Sequence, residues 1–240
     1  MTTQTLAGLN IRHGIPEAQR MEAARLYASV FADKYRALIG SGPQALRLIS
    51  TSLRLQQAFA VLHQGRLVGL AGYNAPGGHF LSLRLRQLVV EFGLLPGLWH
   101  FFLHVCQRKR LSRQELLIDG IVIDPACRGQ GLGSLLIGRL AYLAQLQGRA
   151  GLRLGVVDTN PRARQLYERL GFQLLETRHY RLLRGWIPFS AVQIMRLPLA
   201  PLPGIRVPPA LPRRVLAVHG LVRRLSPRAQ MVVWSPPRSV

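Results

Sequence analysis

From Glu17 to Tyr35 apolar residues recur at helical spacing, with Met21, Ala24, Ala28, Phe31 and Tyr35 on one face. Gly40 to Pro43 interrupts that pattern before a second helical stretch over 45–55, so two helices are predicted near the start. Ala58 to Leu62 and Arg66 to Tyr73 read as strands joined by the turn-like Gln64-Gly65, which predicts an antiparallel hairpin. Further on, the pattern predicts strands over 115–123, 152–157, 172–177 and 191–197, with helices over 131–147 and 161–170. Alternating strands and helices imply a mixed α/β sheet, and no internal repeat is visible.

Two segments stand outside this alternation. Leu88 to Cys106 is a largely apolar run interrupted by Glu91, Gly93, Pro96, Gly97, His100 and His104. A transmembrane helix needs about 20 mostly apolar residues. The charge, the Pro-Gly pair and the two histidines argue for two short helices instead, covering a groove or lying on a membrane surface. After Pro198 the composition changes: residues 201–240 hold eight of the 16 prolines and seven arginines with no acidic residue. The domain boundary is therefore placed at 199/200, leaving a Pro/Arg-rich tail. Within it Leu211, Val215, Val218, Val222 and Leu225 recur at helical spacing beside Arg213, Arg214, Arg223 and Arg224. That is the pattern of a basic amphipathic helix able to touch anionic lipid; a docked helix or a loose tail is the alternative.

The chain has 240 residues, is 48% hydrophobic and carries a formal net charge of +22. That length and apolar content suit one domain with appendages. Strongly basic chains often bind phosphate-rich partners such as nucleic acid or anionic lipid. Yet the cations are nearly all arginine, with lysine only at Lys34 and Lys109, a bias that a GC-rich genome produces without selection for binding. Cys106 and Cys127 have neither disulfide-framework nor metal spacing, and the N-terminus lacks a secretory pattern; the expected setting is cytoplasmic, with a membrane-peripheral variant left open.

The stretch from Ile118 to Leu143 is a strand, a turn and a glycine-rich loop running into a helix. Gly129, Gly131 and Gly133 let successive backbone N–H groups approach an anion, and the helix start adds its unpaired N–H groups and dipole. A diphosphate suits such a cradle, with Arg128 as countercharge. A Walker A loop is excluded because Gly133-Ser134 has no lysine between glycine and hydroxyl. A dinucleotide fingerprint needs glycine at Ser134 or Leu136 and is excluded as well.

The run Arg128-Gly129-Gln130-Gly131-Leu132-Gly133 resembles the R/Q-x-x-G-x-G/A signature of the GNAT superfamily of acyl-CoA-dependent N-acetyltransferases. A second block, Asn160 to Phe172, is similar to that family's N-x-x-A-x-x-L-Y-x-x-x-G-F helix and turn. The resemblance is close over 115–172 and weaker over 9–199. It implies a mostly antiparallel central sheet flanked by helices, with 81–110 as a helical insertion before the fourth strand.

The resemblance also implies acetyl-CoA, or another acyl-CoA, as co-substrate and a primary amine of a small molecule or protein as acceptor. Transfer would be direct, in a ternary complex, without metal. Arg128, Gly129, Gln130, Gly131, Leu132, Gly133 and Ser134 would hold the pyrophosphate. Ile121, Val122 and Ile123 would lie along the coenzyme arm, with Ile121 and Ile123 pairing to pantetheine and an N–H near Ile123 polarising the thioester carbonyl. Asn160 matches a position contacting that arm; as an Asn before Pro161 it equally suits a helix N-cap.

An alkylammonium of lysine type, with a pKa near ~10.4, must lose a proton before it attacks. Glu115 and Asp119 are four apart on one strand and share a face, so each is a candidate base, the alternative being ordinary strand-edge charges. The resemblance ranks Asp119 first, two before Ile121, while Glu115 corresponds in spacing to the base of histone-type members. It also makes Tyr167 the donor to the departing thiolate, against a packing role. Cys127 sits where the family has a packing residue. His100 and His104 lack the glutamate of a zinc-protease motif. The rival function is a non-catalytic acyl-CoA sensor or adaptor on an anionic partner.

Overall fold

The computed structural model describes residues 8–39, 42–106, 111–180 and 189–201. Seven strands form a mixed sheet flanked by helices. In chain order the elements are β1 (Leu9–His13), α1 (Arg20–Ile39), α2 (Pro43–Ser52), β2 (Ala58–His63), β3 (Arg66–Asn74), α3 (Leu85–Phe92) and α4 (Leu94–Cys106). They continue with β4 (Glu115–Ile123), α5 (Leu132–Leu146), β5 (Gly151–Val157), α6 (Pro161–Arg169), β6 (Gln173–His179) and β7 (Ala191–Pro198). The strand order is β1-β2-β3-β4-β5-β7-β6. The pairs β1–β2, β2–β3, β5–β7 and β6–β7 are antiparallel, and β4–β5 is parallel.

The described chain forms two compact units. The first comprises 8–72, 79–106 and 120–136. Its core is built on Tyr27, Leu67, Leu70, Phe80, Leu83 and Leu88, all fully or almost fully buried. Each such side chain contributes about 1.5–3 kcal/mol on leaving water. The β2–β3 turn has positive φ at both Gln64 (50°) and Gly65 (79°), as a tight hairpin of right-handed strands requires. Strand β1 was not foreseen; it pairs Leu9–His13 with Phe59–His63. The apolar run does divide into two helices, but at Gly93 (φ 85°) rather than at Pro96-Gly97. Pro96 lies in the first turn of α4, where its missing N–H costs nothing. A Cβ on Gly97 would come within 2.6 Å of the Val89 Cα, so glycine is what lets α4 pack against the α3 backbone.

The second unit comprises 73–78, 111–119, 137–180 and 189–201 of the described chain. Leu116, Leu140, Leu152 and Met195 are buried in it. Arg149 holds the entry to β4, donating from Nη1 to the carbonyls of Ser112, Arg113 and Glu115 at 3.2, 3.3 and 3.1 Å. The β4–β5 ladder is short, pairing Glu115–Leu117 with Gly151–Arg153. Beyond it β4 continues to Ile123, while β5 continues along β7 as far as Val157. The tail residues read as a basic amphipathic helix lie outside the described residues.

Candidate functional site

Past the end of its ladder with β5, strand β4 presents Asp119, Ile121 and Ile123 as half-buried positions, while Ile118, Gly120 and Val122 are buried. This period-two pattern sets the carboxylate and the two isoleucines on one face of one strand. Asp119 accepts a hydrogen bond at 2.9 Å from Nδ2 of Asn74, itself only 4% exposed. Asn74 was not singled out from sequence; it stands 45 positions away, and no local motif marks it. Glu115 is engaged differently. Arg196 Nε donates to Oε1 at 2.8 Å, and Arg153 Nε lies 3.3 Å from Oε2.

The end of β4 is fastened before the loop begins. The Asp124 N–H donates to the Val68 carbonyl at 2.9 Å, and Asp124 Oδ1 accepts from the Ala126 N–H at 3.0 Å, capping a short 3-10 turn over Pro125–Cys127. Its second oxygen meets Arg66 at 3.3 Å. Cys127 is buried. Arg128 turns back on the strand, donating from Nε to the Ile123 carbonyl at 3.1 Å, so its head is oriented rather than loose. Gly129 and Gly131 both adopt φ of 78°, and among the described residues, their chain neighbours aside, no heavy atom lies within 4 Å of where a Cβ would stand on either. Together with exposed Gln130 they form an open, solvent-facing bend.

Gly133 lies instead inside the first turn of α5, behind buried Leu132 and beside half-buried Ser134. The first α-helical bond runs from the Leu135 N–H to the Gly131 carbonyl at 3.0 Å. The N–H groups of Leu132, Gly133 and Ser134 therefore precede the helical ladder and carry its positive end. A bend open to solvent, two left-handed glycines, an oriented arginine and a helix start suit a polyphosphate.

Asn160 and Tyr167 stand at the two ends of α6 in the second unit. Asn160 caps the helix, its Oδ1 accepting from the Ala163 N–H at 3.1 Å. At the other end the Tyr167 carbonyl accepts from the Phe172 N–H at 2.9 Å, after Gly171 (φ 87°) turns the chain. The Tyr167 ring lies 5.6 Å from that of Phe172. Burial pushes its phenol up to about 12, so the hydroxyl holds its proton throughout the neutral and mildly alkaline range. His100 packs on Phe92 with ring centroids 4.7 Å apart, and His104 is buried.

Residues 21–172 match the Acetyltransferase (GNAT) family. Among curated relatives, a thialysine N-epsilon-acetyltransferase of Bos taurus is 42% identical over 60 residues, covering 25% of this chain and 35% of the relative. The Mus musculus protein of the same name is 32% identical over 103 residues, covering 43% of this chain and 52% of the relative. The chain thus spans about half or less of the curated relatives it matches. Among solved structures, an N-acetyltransferase from Staphylococcus aureus Mu50 superposes with a TM-score of 0.56 at 17% identity, covering 78% of this chain and 100% of that one. At that identity the likeness concerns the fold.

Proposed function

Because this chain belongs to the Acetyltransferase (GNAT) family, whose members use acetyl-CoA, we propose that it is an N-acetyltransferase moving the acetyl group directly onto a primary amine of a small molecule or protein. The observation that carries this reading is the bend at Gly129 and Gly131, both at φ 78° with open space beside them, immediately before the start of α5. Arg128, Gly129, Gln130, Gly131, Leu132, Gly133 and Ser134 hold the pyrophosphate of the coenzyme, largely through main-chain N–H groups. Ile121, Val122 and Ile123 follow its arm. The end of the β4–β5 ladder at Leu117 supports this, since main-chain groups further along β4 are not enlisted by that ladder. Asn160 offers its amide to the same arm while capping α6.

In the reaction the amine nitrogen bonds to the acetyl carbon, the carbon–sulfur bond breaks, and the electron pair leaves on sulfur. Asp119 takes the amine proton, directly or through water, and Tyr167 assists departure of the thiolate as a hydrogen-bond donor to the sulfur. Asp119 is preferred to Glu115 because both oxygens of Glu115 already serve arginines, and a proton there would break an ion pair. An N–H at Ile123 polarises the thioester carbonyl as a fixed donor.

The test is thiol release from acetyl-CoA across a panel of primary amines headed by thialysine and lysine-type side chains, after the names of the curated relatives. Release with at least one acceptor is expected. Coenzyme binding by calorimetry with no release on any amine would instead favour a non-catalytic acyl-CoA sensor.

A further inference from the structure

The α3–α4 hairpin has an inner face accounted for by the fold and an outer face that is not. Inside, Leu88 is fully buried, Phe101 packs against the core, and Gly97 meets the α3 backbone. The hairpin is also tied to α2, where Gln44 donates to the Glu91 carbonyl at 3.1 Å and Arg47 pairs with the Glu91 carboxylate at 3.5 Å. Outside, Leu94, Leu95, Leu98, Trp99 and Phe102 follow one another at helical spacing on α4, and Val90 adds to them from α3. Leu95 is 78% exposed, Trp99 59% and Phe102 56%, with the two rings stacked 5.8 Å apart. A contiguous apolar face of this kind on a soluble surface marks an interaction site.

We propose that this outer face seats on an anionic lipid bilayer, α4 lying in the interface with Trp99 and Phe102 inserted. This inference is independent of the acetyl-transfer reading. Three observations choose the occupant. First, α4 contains no Asp, Glu, Lys or Arg over its 13 residues, too short a helix to cross a bilayer but suited to lying in one. No described helix is long and apolar enough to cross a membrane. Second, the charge around the face is basic. Arg84 and Arg86 are exposed, Arg86 one turn before Val90. Glu91, the one acid between 81 and 113, is paired with Arg47. Each cation held near an anionic surface strengthens binding by about fivefold. Third, the same charge opposes a second copy of this chain, because self-pairing would bring Arg86 and a net +22 against their like. Tryptophan and phenylalanine beside cations are what a lipid headgroup boundary accommodates.

The test uses the full chain in cosedimentation with phosphatidylcholine vesicles, with and without phosphatidylglycerol. Binding to the anionic vesicles is expected to exceed binding to the neutral ones by at least about tenfold. The double variant Leu95→Asp/Trp99→Asp is expected to reduce anionic binding by at least about tenfold, since it replaces apolar anchors with two repelled charges. Both positions are exposed, and an unchanged circular dichroism spectrum and melting temperature check that the fold is retained. Trp99 fluorescence should shift to the blue with anionic vesicles, by difference from Trp99→Phe. Equal anionic binding by wild type and the double variant overturns the proposal and assigns lipid contact elsewhere. Absence of wild-type binding overturns it too, and a wild-type dimer that the double variant dissociates would then assign the face to a second copy.

Discussion

Glu115 stands where β4 is laddered to β5 and takes guanidinium groups from Arg153 and Arg196. Asp119, on the same face of the same strand, stands beyond that ladder and takes the amide of Asn74. The two acids share a face, yet their surroundings differ in kind. The first half of β4 is closed by its parallel partner, and Arg149 binds the carbonyls leading into it. The second half runs through Ile121 and Ile123 into the open bend at Gly129 and Gly131. Spacing puts both carboxylates on one face; neighbours contributed by distant segments set them apart, which is the ground for proposing a structural role for one and a chemical role for the other.

The largest effect should come from the second half. Asp119→Asn keeps volume and a hydrogen-bonding partner for Asn74 but removes the proton acceptor, so turnover should fall by about 10²–10⁴-fold. Steady-state thiol release measures it, and a near-wild-type Asp119→Asn alongside a crippled Glu115→Gln would reverse the assignment of the two halves.

Next in size is Gly131→Glu, which sets a carboxylate beside the proposed pyrophosphate site. Like charge in close contact costs several kcal/mol, so affinity for coenzyme A should drop by about 100-fold or more. The left-handed backbone at φ 78° adds about 1–2 kcal/mol of strain in the folded protein. Calorimetry on the folded variant decides it, and unchanged affinity would remove the anion role from the bend.

Tyr167→Phe should act more mildly, lowering turnover by about tenfold, the worth of one hydrogen bond to a charged group, with acetyl-CoA affinity little changed. Its phenol is raised above the ordinary 10.0 to about 12, so the folded protein holds this proton more tightly than the unfolded chain does. That contribution to stability is complete below pH 10 and is lost as pH climbs through about 12. The wild-type rate should accordingly show no downturn from Tyr167 below pH 10. A downturn at lower pH that Tyr167→Phe abolishes would contradict the role.

What the sequence revealed follows the same division between local and distant causes. Strand β4 was legible to its last residue because an apolar run ends at a glycine-rich bend. The start of α6 at Pro161 was likewise legible from Asn160-Pro161. Strand β1 was not, since Leu-Asn-Ile-Arg-His has two aliphatic positions and becomes a strand by pairing with β2, some fifty residues away. Helix α2 stops at Ser52 rather than Leu55, because Leu53 turns extended and bridges to Leu81. The bend proposed as the phosphate cradle was legible because its left-handed glycines, Gly129 and Gly131, stand close together in the chain. Asn74 beside Asp119 and the two arginines on Glu115 come from remote segments and left no local trace.

The smallest effect should fall on the first half of β4. In the β5–β7 register Arg153 and Arg196 are direct cross-strand partners, so two like charges face each other across the sheet. Such a pair is unfavourable by itself, and Glu115 relieves it by meeting both guanidiniums, at 3.3 and 2.8 Å. Glu115→Gln keeps one acceptor oxygen for Arg196 but removes the charge that reconciles the two arginines. All three side chains are partly exposed, so water and salt moderate the loss, and a destabilisation of about 1–2 kcal/mol is expected. Turnover of the folded variant should stay within about threefold of wild type, because no proton transfer is assigned to Glu115. Urea unfolding measures the first quantity and thiol release the second. Adding Arg153→Leu should recover part of the lost stability by removing one of the facing charges, and a double variant no more stable than Glu115→Gln would show that charge relief is not what Glu115 supplies.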